Sequence, residues 1–164
     1  MSSNAVVLSP YRAVIPGNSP GSISYSTGTW TPTLIANVSG GWTGTFNGTW
    51  VKIGRLVHVT GYLDPTAEDS PSGSQVLIGG FPFARAAGAP TFSLLSLAGS
   101  LITLSTGYAN PCCRLGPSAT EALIIVQSFD DTPRAFQTVA PNGIDTTGGG
   151  TTIFYLSGAY ETDE

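Results

Sequence analysis

Apolar and polar side chains alternate with a period of two along most of the chain after residue 28. The clearest case runs from Arg55 to Leu63. One side of this stretch carries Val57, Val59 and Leu63, and the other carries Leu56, His58, Thr60 and Tyr62. Because successive side chains of a β-strand point to opposite faces, the pattern predicts a strand with one core face. The second face is half apolar, and we interpret Leu56, His58 and Tyr62 as candidates for a subunit interface.

Other segments carry the same signature. Around Pro32, the residues Trp30, Pro32, Leu34 and Ala36 fall on one side. Since Pro32 lacks an N–H for a sheet hydrogen bond, this stretch is predicted to be a first or edge strand. Residues 121–128 are apolar on both sides, as in a strand covered on both faces, and residues 151–161 alternate again. No long helical period is present, and eight to ten short strands are expected.

Turn signals separate these strands. Gly54 interrupts the apolar run around Trp50 and predicts a tight turn, and Asn47-Gly48 predicts a hairpin. Gly99-Ser100 is interpreted as a turn inside residues 91–105, and residues 66–74 as a polar surface loop. The two prolines between residues 108 and 117 indicate an irregular or short-strand segment. The whole pattern predicts an all-β protein, an antiparallel β-sandwich of jelly-roll type.

Composition and charge exclude several functions. Charged residues are 10% of the 164, the formal net charge is −4, and there are 21 Gly and 12 Pro. One Lys and five scattered Arg form no basic stripe, so nucleic-acid binding is not expected. No apolar stretch reaches the roughly 20 residues of a membrane-spanning helix, and the N-terminus lacks a basic signal-peptide region. We therefore expect a single domain with no membrane partner, made in the cytoplasm.

The candidate chemistry is sparse. Cys112 and Cys113 are neighbours, which disfavours a disulfide between them, and they are interpreted as free thiols. With His58 as the only histidine, no metal site or cofactor is expected. The acidic pairs at 68–69 and 130–131 are neighbours in polar turns, unlike the separated carboxylates of a glycosidase. The chain is predicted not to be an enzyme.

Residues 1–27 differ from the rest of the chain. Three prolines among Gly and Ser favour an extended backbone. A solvated linker would not carry so much apolar surface. The segment is therefore predicted to be an arm that lies on a partner or, alternatively, on its own domain, with 28–164 as the folded domain. The candidate contact residues of the arm are Val6, Val7, Leu8, Tyr11, Val14 and Ile15.

Several segments together resemble a β-sandwich module of tailed-bacteriophage virion proteins. These are GTWTPTL at 28–34, WVKIGRLV at 50–57, Gly61-Tyr62 and IGGFPF at 78–83. The matching positions include Trp30, Pro32, Trp50, Gly54, Phe81, Pro82 and Phe83. Phe81 replaces the Leu usual before Pro-Phe in that family. The resemblance covers residues 28–83 and brings no catalytic residues with it.

The resemblance implies a structural virion protein. We expect a capsid decoration or cement protein that binds the major capsid protein on the outer capsid surface, as a homotrimer that uses its arm. The alternative is a tail-fibre module that recognises host surface glycan, in which aromatic residues stack on sugar rings. The candidate stacking residues are Trp30, Trp42, Tyr62 and Tyr108.

Overall fold

Strands dominate the computed structural model, which describes residues 24–88, 93–100, 108–116, 119–128, 136–144 and 152–163. All strand pairings in these ranges are antiparallel, which confirms the all-β prediction. The strands are β1 (Tyr25–Trp30), β2 (Thr33–Ala36), β3 (Ser39–Ile53), β4 (Leu56–Ser72), β5 (Val76–Gly79), β6 (Ser93–Ser100), β7 (Tyr108–Leu115), β8 (Ala122–Ser128), β9 (Phe136–Thr138) and β10 (Ile153–Glu161). A short 3-10 helix spans Pro141–Gly143.

The sheet closes on itself. Its strands follow the order β3-β2-β5-β8-β7-β6-β10-β4, and β4 pairs back with β3. This ring is an eight-strand barrel, so the prediction of a two-sheet, jelly-roll-like sandwich needs correction. The physical reason is that β10 and β2 pair with the two outer edges of the β3–β4 hairpin, which leaves no gap between two sheets. Outside the ring, β1 pairs with β3 and β9 with β8.

The first strands follow the predicted alternation. Trp30, Leu34 and Ala36 are buried, as is Pro32, whereas Thr31 and Thr33 are exposed. Pro32 lies between β1 and β2. Before it, β1 pairs with residues 48–53 of β3, and after it, β2 pairs with β5. Residues 25–27 already pair with β3, so the sheet includes the last residues of the predicted arm. Residues 1–23, with all six candidate arm contacts, lie outside the described residues.

The β3–β4 hairpin turns at Gly54-Arg55, as predicted. Gly54 has φ +58, and its N–H donates to the Ser24 carbonyl oxygen at 2.8 Å. The hairpin predicted at Asn47-Gly48 is wrong, because both residues lie inside β3 and pair with Tyr62 and Gly61. Gly48 is required there for space: a Cβ would collide with the indole of Trp30, whose Nε1–H donates to the Thr60 carbonyl oxygen at 2.9 Å.

Two further segments differ from the prediction. Residues 66–72 are strand rather than loop, because they continue the pairing of β4 with β3, although they are exposed except for half-buried Pro71. Gly99 and Ser100 pair with β10 and are not a turn. Residues 108–115, predicted as an irregular or short-strand segment, form strand β7, in which Pro111 lies at a register shift between Ala109 and Cys112.

The core fills the barrel and agrees with the predicted inward faces. Val57, Val59 and Leu63 are each 0% exposed. Residues 122–126 of β8 are buried on both sides, as the continuous apolar run predicted. In the Phe81-Pro82-Phe83 segment, Phe81 stacks on Trp30 with ring centroids 5.0 Å apart. Phe83 packs edge-on against Trp50, and the Lys52 ammonium lies 4.7 Å from its ring centre.

Candidate functional site

One broad face of the barrel is directed outward across β1, β3, β4, β10 and β6. Its residues alternate with the buried ones, so Leu56, His58, Thr60 and Tyr62 point away from the core. We call this surface the outer face. Because the strand registers place these residues side by side, the outer face is organised into rows that run across the strands.

The row nearest the hairpin turn is apolar. Tyr25, Ile53 and Leu56 are register partners on three adjacent strands. They are 40%, 48% and 50% exposed. Three large apolar side chains in a continuous exposed row are the kind of surface that proteins use for contact with another protein. We call this set the apolar row; Glu161 pairs with Leu56 at its end.

The middle of the outer face carries hydroxyl groups. Thr29, Thr49, Thr60, Ser157 and Ser96 are successive register partners across five strands, and all are exposed. The hydroxyl oxygens of Thr49 and Thr60 lie 2.8 Å apart and share a hydrogen bond. We call this set the hydroxyl row. It separates the apolar row from a second feature on its other side.

That second feature is an open cleft of about 280 Å³ beside two tyrosines. Tyr62 and Tyr155 are register partners whose ring centroids lie 5.5 Å apart at 58°. Tyr155 is 58% exposed. We call this feature the tyrosine cleft, and its lining comprises Asn47, Gly48, Thr49, Thr60, Gly61, Tyr62, Tyr155 and Leu156.

A carboxylate fixes one wall of the tyrosine cleft. The Tyr62 hydroxyl donates to Asp64 Oδ2 at 3.3 Å. Desolvation and then the charge of Asp64 raise the pKa of Tyr62 above its ordinary value of 10.0. The phenol therefore keeps its proton over the whole neutral range and remains a hydrogen-bond donor.

A second groove, of about 430 Å³, lies where β2 meets the first half of β3. Pro32, Trp42 and Phe46 provide its apolar surface, and Asp69 lies at its side. The Trp42 indole nitrogen is buried and has no hydrogen-bond acceptor among the described residues. Trp42 itself is only 5% exposed, so its ring is part of the core rather than a free stacking surface.

The three residues predicted as interface candidates all face outward on β4, but they do not form one patch. Leu56 belongs to the apolar row, and Tyr62 forms part of the tyrosine cleft. His58 lies exposed between them, paired with Val51 and Ala159. Whether this face contacts another subunit stays a prediction.

The aromatic candidates for sugar stacking fare differently from one another. Trp30 and Trp42 are buried at 7% and 5% exposure and are not available, whereas Tyr62 is half-buried beside the cleft. The side chain of Tyr108 lies outside the described residues. Sequence reasoning missed Tyr155, although its position between buried Phe154 and Leu156 signalled an outward aromatic ring.

The remaining chemistry of the described residues is limited. Both cysteines are free, with Cys113 buried and Cys112 half-buried, as interpreted from the sequence. Glu68 and Asp69 are exposed on β4, and the other predicted acidic pair, 130–131, lies outside the described ranges. No cluster of three or more metal-ligating side chains occurs in the described part of the chain. None of its helices has the length and apolarity needed to cross a membrane.

The fold has a counterpart among solved structures. The crystal structure of the Dettilon tailspike protein (gp208) matches this chain with a TM-score of 0.65 at 18% sequence identity. The match covers 84% of this chain but only 24% of that one, so this chain spans about a quarter of its length. At this identity the likeness concerns the fold. No protein-family model and no curated protein matches the sequence.

Proposed function

We propose that this chain is a structural protein of a phage virion, of the tail-fibre or tailspike kind, that acts through its outer face. The observation that carries the proposal is the shared fold, since most of this barrel superposes on part of a tailspike protein. The sequence resemblance of residues 28–83 to phage virion modules points to the same class of protein. The charge-poor outer face, with its aromatic and hydroxyl groups, supports a role in adhesion.

The role is proposed to be non-enzymatic. Hydrolysis of a glycan needs two carboxyl groups held at a defined separation across the scissile bond. Asp64 accepts a hydrogen bond from Tyr62, and Glu68 and Asp69 stand exposed at the far end of β4. Incubation of the purified protein with host-surface polysaccharide is expected to release no new reducing ends. A time-dependent release would overturn this part of the proposal.

Localisation in the virion tests the main proposal. We expect a Fab fragment that binds the outer face to label the tail in electron micrographs of intact particles. The same antibody should reduce adsorption of particles to host cells. Labelling of neither the tail nor the head would contradict a virion role altogether.

A capsid decoration protein is the second candidate. The apolar row favours it, because a surface of this kind suits contact with another protein subunit, such as the major capsid protein. On this hypothesis the N-terminal arm preceding β1 lies on the capsid and the protein is a homotrimer. Antibody labelling of the head, together with loss of capsid binding on deletion of residues 1–23, would support it over the tail proposal.

A further inference from the structure

We propose that the tyrosine cleft is a binding site for a neutral pyranose ring, with Tyr155 as the stacking surface. The inference deepens the proposed function, and it rests on that function for the source of the sugar, a glycan of the host surface. It stands on the geometry of the outer face rather than on the tailspike likeness, which concerns the fold.

An exposed aromatic ring is the first requirement for sugar binding. The faces of a pyranose carry C–H groups that pack on an aromatic ring, whose own face is weakly negative. Tyr155 leaves 58% of its surface exposed, and Tyr62 stands beside it at 58° to form a second, tilted wall. Such an arrangement leaves one ring open for stacking while the other is held in place by Asp64.

Hydrogen-bonding groups at the edge of the ring are the second requirement. In the pair Thr49–Thr60, one hydroxyl donates to the other, so the acceptor still has a proton to donate. Asn47, which is exposed and pairs with Tyr62, adds an amide with both donors and an acceptor. Sugar hydroxyls also both donate and accept, and this lining can satisfy both roles.

The size of the cleft limits the ligand to a small unit. Clefts for drug-sized ligands measure about 300–1,000 Å³. At about 280 Å³, the tyrosine cleft is suited to one sugar ring rather than several. The backbone of Gly48 and Gly61 forms part of its lining, between the outward side chains of Asn47 and Thr49 on β3 and of Thr60 and Tyr62 on β4.

Charge determines which sugars fit. Among the described residues no Lys or Arg side chain lines the cleft, and the carboxylate of Asp64 accepts a hydrogen bond from Tyr62 in its wall. A uronic acid or a sugar phosphate would meet a like charge without a cation to pair with. The geometry therefore favours a neutral sugar. The hydroxyl row divides the cleft from the apolar row, which disfavours a single continuous protein interface across both.

Saturation-transfer difference NMR on the full chain tests the inference. The probes are the methyl α-pyranosides of glucose, galactose and mannose, N-acetylglucosamine, and the charged counterparts glucuronic acid and glucose 6-phosphate. We expect at least one neutral probe to bind saturably, with a Kd on the order of 1 mM. Glucuronic acid and glucose 6-phosphate should each bind at least about tenfold more weakly than that neutral probe. No saturable binding of any neutral probe, or preferred binding of the charged ones, would overturn the proposal.

Matched variants locate the site. Tyr155→Ala should weaken binding about tenfold, whereas Tyr155→Phe should bind as tightly as the wild-type protein because the aromatic ring is kept. Tyr25→Ala is the control, since Tyr25 is an exposed tyrosine of the same face outside the cleft. Asn47→Ala provides a second probe of the lining in case Tyr155→Ala disturbs the fold. Equal losses for Tyr25→Ala and the cleft variants would place the sugar elsewhere and refute the assignment.

The two proposals fail separately. A protein found on the phage tail that binds no neutral sugar refutes the cleft assignment alone. A protein that binds a neutral pyranoside through Tyr155 but is absent from the virion refutes the proposed function alone.

Discussion

At the scale of single residues, two glycines determine where the indole of Trp30 lies. Gly48 and Gly61 are register partners on β3 and β4, and neither has a side chain to fill the space above it. The Trp30 indole occupies that space, donates to the Thr60 carbonyl oxygen, and stacks on Phe81. The Gly48–Gly61 pair thus provides the space for the indole of Trp30, which joins β1 to the core. We call this space the indole socket.

This socket predicts the effect of adding one methyl group. Gly48→Ala should lower the free energy of unfolding by about 1–3 kcal/mol, because the new Cβ overlaps the indole and forces it to move. Gly88→Ala is the matched control, since no heavy atom of the described residues, apart from the chain neighbours of Gly88, lies within 4 Å of the added Cβ. Urea unfolding followed by tryptophan fluorescence measures both. Equal midpoints for the two variants would contradict the socket.

The same glycine explains one limit of the sequence prediction. Asn47-Gly48 carries the signature of a hairpin turn, yet the glycine serves a tryptophan 18 residues upstream. No residue close to Gly48 in the sequence indicates that Trp30 will occupy this space. The inward alternation of Val57 and Val59 was predictable because a strand's period of two is a local property. The tyrosine cleft was predictable only in part. The sequence identified Tyr62 as an outward candidate, but its pairing with Tyr155 joins strands that are distant in the sequence.

Two neighbouring cysteines should differ in reactivity because they point to opposite faces of β7. Cys113 is buried and Cys112 half-buried. Burial, and then the neighbouring Cys112, raises the pKa of the Cys113 thiol above its ordinary value of 9.0. With Ellman's reagent at pH 8, we expect one thiol to react in the native protein and the second only on unfolding. Cys112→Ala should abolish the native reaction, and a native reaction that survives this change would contradict the assignment.

Alkaline pH should reveal the buried thiol as a loss of stability. Above about pH 9 the unfolded chain loses the Cys113 proton, whereas the folded chain keeps it. The unfolded state then binds fewer protons, so the free energy of unfolding falls as the pH rises. Tyr62, whose pKa is also raised, acts in the same direction above its ordinary value of 10.0. Unfolding midpoints that stay level between pH 8 and 10.5 would contradict this prediction.

At the scale of elements, the far end of the β3–β4 hairpin shows why polar composition misled the prediction. Residues 66–72 read as a loop because they are rich in Ser, Pro and acidic residues. In the described part of the chain, they pair with β3 on one edge alone. The same residue types protect an exposed strand edge, because Pro and charge prevent further strands from pairing. Composition alone does not distinguish an edge strand from a loop.

The Phe81-Pro82-Phe83 segment contains two phenylalanines with different roles. Phe81 is 5% exposed, stacks on Trp30 and meets Tyr160 edge-on at 5.9 Å. Phe81→Ala should therefore destabilise the fold by about 3–5 kcal/mol. Phe83 is half-buried beside Trp50 and Lys52, and Phe83→Ala should cost about 1–2 kcal/mol. Thermal unfolding by circular dichroism measures both, and a larger loss for Phe83→Ala would contradict the packing.

At the scale of the whole molecule, closure of the barrel depends on pairings between distant parts of the chain. β10 pairs with β4 on one side and with β6 on the other. A sandwich and a barrel can be built from the same strands with the same alternation. The sequence pattern therefore predicted an all-β, antiparallel chain correctly but did not distinguish closure from two stacked sheets. What separates the two is which strand edges pair, as β10 pairs with β4 and β2 with β3, and such pairing between distant strands is not a local property.

Closure of the barrel also makes the outer face continuous across its strands. The apolar row on this face is the candidate surface for self-association. If the apolar row lies in a subunit contact, Leu56→Lys should convert an oligomer to a monomer, because burial of an unpaired charge is costly. The fold should persist, since Leu56 is 50% exposed and pairs with Glu161. Light scattering after size-exclusion chromatography at micromolar concentration measures the mass.

Leu94→Glu is the matched control for this experiment. Leu94 is 51% exposed, lies on β6 away from the apolar row, and pairs with Arg114, which again sets opposite charges side by side. We expect it to leave the oligomer intact. If the wild-type protein is already monomeric, or if both substitutions dissociate the oligomer equally, the apolar row is not the subunit contact. The tyrosine cleft lies across the hydroxyl row from the apolar row, so an oligomer formed through Leu56 can leave the cleft open for its sugar.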